Sequence, residues 1–125
     1  MTGCNTGLGK ETVLDLAKRG GKIYMACRDA KRCEATRLEI IKESGNQNVF
    51  NRTLDLASLE SIRNFVKQFL AEEERLDILI NNAGVMGCPK TLTADGFEMQ
   101  IGTNHMGHFL LTNLLLDCLK VFLQK

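Results

Sequence analysis

Proline occurs once in the 125 residues, tyrosine once and tryptophan not at all. Glycine occurs eleven times but never in a collagen-like or linker-like run, which argues against low complexity and disorder. No internal repeat is visible. Charge of one sign is also missing: sixteen basic and fifteen acidic residues leave a formal net charge of +1. That balance gives no support to a nucleic-acid partner or an anionic membrane surface. The longest apolar stretches (Phe109–Leu111, Leu114–Leu116 and Val121–Leu123) are cut by Thr, Asn, Asp and Lys. None approaches the ~18 apolar residues of a membrane span, and the polar start Met1-Thr2-Gly3-Cys4-Asn5 is unlike a signal peptide. A soluble protein is the expectation. The five cysteines, Cys4, Cys27, Cys33, Cys88 and Cys118, are odd in number and lack a C-x-x-C spacing. Free thiols in a reducing compartment are expected. The sequon Asn51-Arg52-Thr53, without a secretory signal, reads as chance.

What remains is ordinary globular composition, 44% hydrophobic and 25% charged, for one domain. Val13, Leu14 and Ala17 form one stripe across Lys10–Lys18 and predict a helix, stopped by Gly20-Gly21. Ile23–Cys27 has the length and apolarity of a strand. A second helix is expected over Lys31–Glu43, with Ala35, Leu38 and Ile41 at helical spacing, broken by Ser44-Gly45-Asn46. Val49–Leu54 reads as a strand. Ser58 caps the next helix, whose apolar face is Leu59, Ile62, Phe65, Val66, Phe69 and Leu70. A strand over Asp77–Ile80 exits into Asn81-Asn82-Ala83-Gly84, and a long helix follows over about Ala94–Phe122, irregular near Asn104–Gly107. This alternation predicts an α/β fold, a parallel sheet flanked by helices. Ligands of such sheets sit beyond the carboxyl ends of the strands, where Arg28, Asp55 and the Asn-Asn-Ala-Gly turn all fall.

Thr2-Gly3-Cys4-Asn5-Thr6-Gly7-Leu8-Gly9 opens the first helix. Glycines let a backbone turn tightly and approach a pyrophosphate, and a helix N-terminus offers free N–H groups. A plain glycine turn would look the same in isolation. With Asn81-Asn82-Ala83-Gly84, however, the T-G-x-x-x-G-x-G spacing resembles the short-chain dehydrogenase/reductase family. Ala26-Cys27-Arg28-Asp29, Leu54-Asp55-Leu56-Ala57-Ser58 and Asn104-His105-Met106-Gly107-His108 resemble its retinol dehydrogenase subgroup. The resemblance runs from Thr2 to about Lys120, and Val121–Lys125 departs from it.

The resemblance implies a partial dinucleotide-binding domain over residues 1–125, a partial Rossmann-type sheet without its first strand and without the catalytic half. It implies NADP(H) as cofactor, held by Gly3, Asn5, Thr6, Gly7, Leu8, Gly9, Arg28, Asp55, Leu56, Asn82, Ala83 and Gly84. Arg28 follows a strand where a dinucleotide's adenosine ribose lies, and an arginine there clamps a 2′-phosphate; a surface pairing with Asp29 is the alternative. Asp55 and Leu56 match adenine-contacting positions, although a carboxylate near a helix N-terminus also suits the macrodipole. Asn104 matches the family's active-site asparagine, which interrupts a helix and holds a water in the relay of the catalytic lysine; capping a helical irregularity is the alternative. His105 and His108, at i and i+3, lack a third metal ligand in the sequence.

The family's hydride transfer needs Y-x-x-x-K and an upstream serine. The single tyrosine, Tyr24, lies in an expected strand with Arg28 four positions on, so it cannot fill that role. The expected function is the cofactor-binding portion of an oxidoreductase interconverting alcohols and carbonyls, retinoid-like substrates being implied by resemblance and only for a longer form. The alternative is a non-catalytic nucleotide-binding or interaction protein.

Overall fold

The computed structural model describes residues 1–121. They form two compact units, one of residues 1–54 with 80–83, the other of residues 55–79 with 84–121.

In the first unit, α1 (Gly7–Lys18), β1 (Ile23–Cys27), α2 (Ala30–Ser44) and β2 (Val49–Thr53) follow in order. β1 and β2 pair in parallel with Ile23 opposite Val49 and Cys27 opposite Thr53. Side chains alternate across a strand, so Ile23, Met25 and Cys27 turn to one face. There they meet Val13, Leu14 and Ala17 of α1 and Cys33 and Ile40 of α2. On the opposite face the Tyr24 and Phe50 rings stand 5.3 Å apart, with the Arg52 guanidinium over both.

The α1 stripe is the expected one. That of α2 is not: Cys33, Thr36 and Ile40 are buried, whereas Leu38 is 54% exposed. Both triplets satisfy helical spacing, and the set that faces β1 and β2 wins. Gly45 ends α2 at φ +72°, the left-handed cap open to glycine. The expectation of five free thiols is corrected, since Cys27 and Cys33 are bonded to each other. Cys4, Cys88 and Cys118 are free.

Residues 1–3 run beside β1 through a single parallel bridge, with Thr2 opposite Ala26. Ala26 N donates to Met1 O, Gly3 N to Ala26 O, and Thr2 N to Ile80 O. The strand expected over Asp77–Ile80 does not form among the described residues: Ile80 O accepts from Thr2 N, but no ladder develops. Asp77 lies in a bend, and Ile78 is largely exposed.

In the second unit, α3 (Leu59–Glu72) begins at Ser58, whose Oγ accepts from Ser61 N as expected of a cap. It buries Ile62, Phe65, Val66 and Phe69; Leu70 lies outside that face, exposed. The long helix expected from Ala94 starts later. Residues 91–98 form a tight antiparallel turn, in which Leu92 bridges Glu98 and Thr93 N donates to Phe97 O. Glu98 then caps α4 (Met99–Ile101), its carboxylate accepting from Gln100 N and Ile101 N. A π-helical turn over Gly102–Met106 joins α4 to α5 (Gly107–Lys120). The irregularity expected near Asn104–Gly107 is therefore a wide turn with an extra residue. Phe122, the expected end, lies outside the described residues.

Candidate functional site

The glycine loop of the first unit is built around Thr2. Its buried Oγ1 accepts from both Asn82 N and Ala83 N at 3.0 Å. The Asn82 amide answers, Nδ2 donating to Thr2 O at 3.1 Å and Gly3 O at 2.8 Å. The Thr2 and Asn82 side chains thus tie two segments eighty residues apart with four hydrogen bonds, beside that of Thr2 N to Ile80 O. Sequence reasoning placed Asn82 and Ala83 in the site but missed Thr2 as their anchor. The signal was available in the threonine that opens the glycine motif.

The loop's three glycines serve different needs. A Cβ on Gly3, at φ +62°, would lie 2.6 Å from Ala83 Cα. One on Gly9 would strike Gly3 O and lie 2.8 Å from both Asn82 Nδ2 and Cys4 Cα. Both glycines exist so that backbones can touch. Gly7 differs: at φ +55° it has no atom within 4 Å of an added Cβ. The space above it is open, and it begins α1.

Thr6, the N-cap residue, makes no side-chain capping bond, so that cap gives the first-turn amides of α1 no side-chain acceptor. Leu8 is 83% exposed beside them. Asn5 O accepts from Thr36 Oγ1 at 2.9 Å, fastening the loop to α2. The loop is a rigid frame around one open, amide-lined corner. That corner fits a phosphate: helix N-terminal amides attract anions, and the only Cβ-sized vacancy among Gly3, Gly7 and Gly9 lies there.

Arg28 stands exposed immediately after β1. The alternative pairing with Asp29 does not form. Asp29 instead caps α2, accepting from Arg32 N at 3.0 Å, and its other oxygen lies 3.8 Å from Arg32 Nε. The arginine expected to read a 2′-phosphate is left with its guanidinium unengaged by that neighbour.

In the second unit, Asp55 Oδ1 accepts from Ala57 N at 2.9 Å and Asp55 N donates to Ser61 Oγ at 2.9 Å. The carboxylate shapes the turn into α3 as well as facing solvent. Leu56 is buried, and a Cβ on Gly107 would collide with its carbonyl, so α5 starts against the Leu56 backbone.

Asn104 sits within the π-helical turn. Its Oδ1 accepts from Val85 N and its Nδ2 donates to Val85 O, both at 2.8 Å. A Cβ on Gly84 would stand 3.4 Å from that Oδ1. The side chain clasps the chain just after the Asn-Asn-Ala-Gly turn, with both ends of its amide engaged. Val85 as its partner was not foreseen, because a backbone acceptor and donor leave no mark on residue type. Asn104 O lies 3.1 Å from His108 Nδ1. Burial pushes the His108 imidazole below its usual value, and the Asn104 contact opposes that shift. His105 lies beside the Phe109 ring, at 6.1 Å between centroids.

Comparison with known proteins gives this geometry a context. A family model described as short chain dehydrogenase matches residues 1–124. Human retinol dehydrogenase 13 is 63% identical over 96% of the chain, which spans 36% of that protein. Mouse retinol dehydrogenase 11 is 62% identical over 96% of the chain and 38% of its own length. The chain thus spans a little over a third of these curated relatives. Among solved structures, an alcohol dehydrogenase from the archaeon Thermococcus sibiricus, complexed with 5-hydroxy-NADP, is similar at TM-score 0.82 and 28% identity, covering 97% of this chain and 52% of that one. A short-chain dehydrogenase from Sphingobium yanoikuyae in complex with NADPH matches at TM-score 0.76 and 30% identity, covering 92% and 45%.

Proposed function

This chain belongs to the short-chain dehydrogenase family, an oxidoreductase family, and from that premise we propose that it is the cofactor-binding part, a partial dinucleotide-binding domain, of an NADP(H)-dependent enzyme interconverting alcohols and carbonyls. The observation that carries the reading is the corner at Gly7, open and amide-lined within a loop otherwise closed on itself. Gly3, Asn5, Thr6, Gly7, Leu8 and Gly9 hold the pyrophosphate in this reading, and Arg28 takes the 2′-phosphate by a charge-assisted contact. Asn82 and Ala83 fix the frame. Asp55 and Leu56 are assigned to the adenine end and Gly84 to the nicotinamide ribose. Asn104 is assigned to the catalytic machinery of the longer protein. The bound nicotinamide supplies or accepts a hydride; this chain's residues orient it. The names of the relatives above point to retinoid-like substrates for the whole protein.

The test is a titration of NADPH and NADH against the protein and its Arg28→Ala variant. A charge-assisted contact is worth about 1.5–3 kcal/mol, so the variant should lose roughly 10- to 150-fold in NADPH affinity and little in NADH affinity. Equal affinity for the two cofactors, or equal losses in the variant, would overturn the assignment of Arg28.

A further inference from the structure

Three sulfurs meet beneath the glycine loop. Cys27, the last residue of β1, is bonded to Cys33 in the first turn of α2, their Cα atoms 6.1 Å apart. Cys4, within the glycine loop, places its Sγ 3.9 Å from Cys27 Sγ. All three are buried, at 0%, 3% and 1% exposure for Cys4, Cys27 and Cys33. Backbone pairing keeps Cys4 in place, because Gly3 N donates to Ala26 O at 3.1 Å. The ring that the disulfide closes contains Arg28 and the α2 cap Asp29. The free thiol belongs to the loop that ends in the open corner at Gly7.

We propose that Cys4, Cys27 and Cys33 form a thiol–disulfide exchange site, in which Cys4 displaces Cys33 from Cys27 and moves the covalent tie from α2 to the glycine loop. The Cys4 thiolate attacks Cys27 Sγ. A Cys4–Cys27 bond forms, the Cys27–Cys33 bond breaks, and Cys33 leaves as a thiolate that takes up the proton Cys4 released. One disulfide and one thiol exist before and after, so the step needs no external oxidant or reductant. Burial favours such an internal reaction: it slows solvent thiols at these sulfurs, whereas Cys4 is close to van der Waals contact with Cys27. Burial also pushes the Cys4 thiol up, which makes the exchange slow. The two states differ in what they hold. A Cys27–Cys33 bond ties the Arg28 segment to α2 and leaves the loop held by hydrogen bonds alone. A Cys4–Cys27 bond ties the loop to β1 and releases the first turn of α2. The effect on a bound dinucleotide rests on the function proposed above.

The experiment reduces the protein with dithiothreitol, reoxidises it with diamide, alkylates it under denaturing conditions and maps linked peptides by mass spectrometry. The wild type should yield both Cys27–Cys33 and Cys4–Cys27 peptides. Cys33→Ser should yield Cys4–Cys27, and Cys4→Ser only Cys27–Cys33. Absence of the Cys4–Cys27 peptide from both the wild type and a folded Cys33→Ser variant would overturn the proposal. If that variant fails to fold, the wild-type map decides alone, with Cys27–Cys33 as the sole product refuting it. NADPH titration of the two bonded forms should differ by about fivefold or more, the Cys4–Cys27 form binding more weakly. Equal affinities overturn the coupling to the cofactor. Absence of NADPH binding in every form, reduced wild type included, counts against the proposed function, and the peptide map still judges the exchange.

Discussion

Replacing Gly9 and Gly7 in turn by alanine separates the frame of the loop from its opening. At Gly9 the new methyl meets backbone: Gly3 O and Cys4 Cα, with the Asn82 amide behind them. Backbone cannot rotate away, so the overpacking cost falls near the upper end of the usual 1–3 kcal/mol. Alanine's better helix propensity returns about 1 kcal/mol. The net loss should be about 2 kcal/mol, a considerable part of a total stability of ~5–15 kcal/mol. At Gly7 nothing is struck, and the cost is the φ of +55°. A left-handed alanine costs about 1–2 kcal/mol. Reduced freedom of the unfolded chain offsets some 0.4–1 kcal/mol of it. Gly7→Ala should therefore lose only about 0.5–1.5 kcal/mol yet bind NADPH at least tenfold more weakly, because its methyl would enter the corner proposed to hold the phosphate. Urea denaturation with unchanged slope gives the first pair of values, and cofactor titration of the folded variants gives the second. A Gly9→Ala protein as stable as the wild type would refute the contact argument. A Gly7→Ala protein that binds normally would remove the phosphate from that corner.

Thr2→Val removes the oxygen that accepts from Asn82 N and Ala83 N, and should cost about 1.5–3 kcal/mol in urea denaturation, while Thr2→Ser costs less than about 1 kcal/mol. Equal losses in the two variants would show that the hydroxyl does not anchor the turn. His108 is held below its ordinary value by burial, so the unfolded chain takes the proton first as pH falls. Its stability contribution is complete above about pH 6.5 and declines below it, toward the lower folded value. Melting temperatures between about pH 7.5 and 5.5 should accordingly fall more steeply for the wild type than for His108→Gln, and parallel curves would refute this. The purified 125-residue chain should not oxidise NADPH with all-trans-retinal, since its one tyrosine, Tyr24, lies in β1 and contacts Phe50 and Arg52; measurable turnover would refute that.

Much of this was legible because the decisive residues act through their own type. Glycines marked the loop, although the approaches at Gly3 and Gly9 are to the protein's own backbone and were not read; Ser58 marked a cap, and the α1 and α3 stripes marked buried faces. The failures share a cause. Leu38 and Ile40 both fit a helical period, and only packing against β1 and β2 chooses between them. Asp77–Ile80 has the composition of a strand, but a ladder needs a neighbour, and residue type does not say how much neighbour there is. The disulfide depends on where β1 ends and α2 begins, which spacing alone leaves open. At Asn104 the position was readable but its contact was not, because Val85 participates through its backbone.

The π-helical turn at Gly102–Met106 also fixes the phase of everything after it. An α-helix advances about 100° per residue, so the extra residue acts as an angular offset. With it, α5 turns Gly107, His108, Leu111, Leu115 and Cys118 inward and leaves Phe109 and Leu116 outside. A one-residue deletion inside the turn would not simply shorten the helix by a step. It would rotate every later side chain by about 100° relative to Asn104, taking the inward stripe off its partners while Asn104 still holds Val85. The segment therefore behaves like a gear with one tooth set deliberately off pitch: substitutions along it are local events, but a change in residue count is transmitted to its far end.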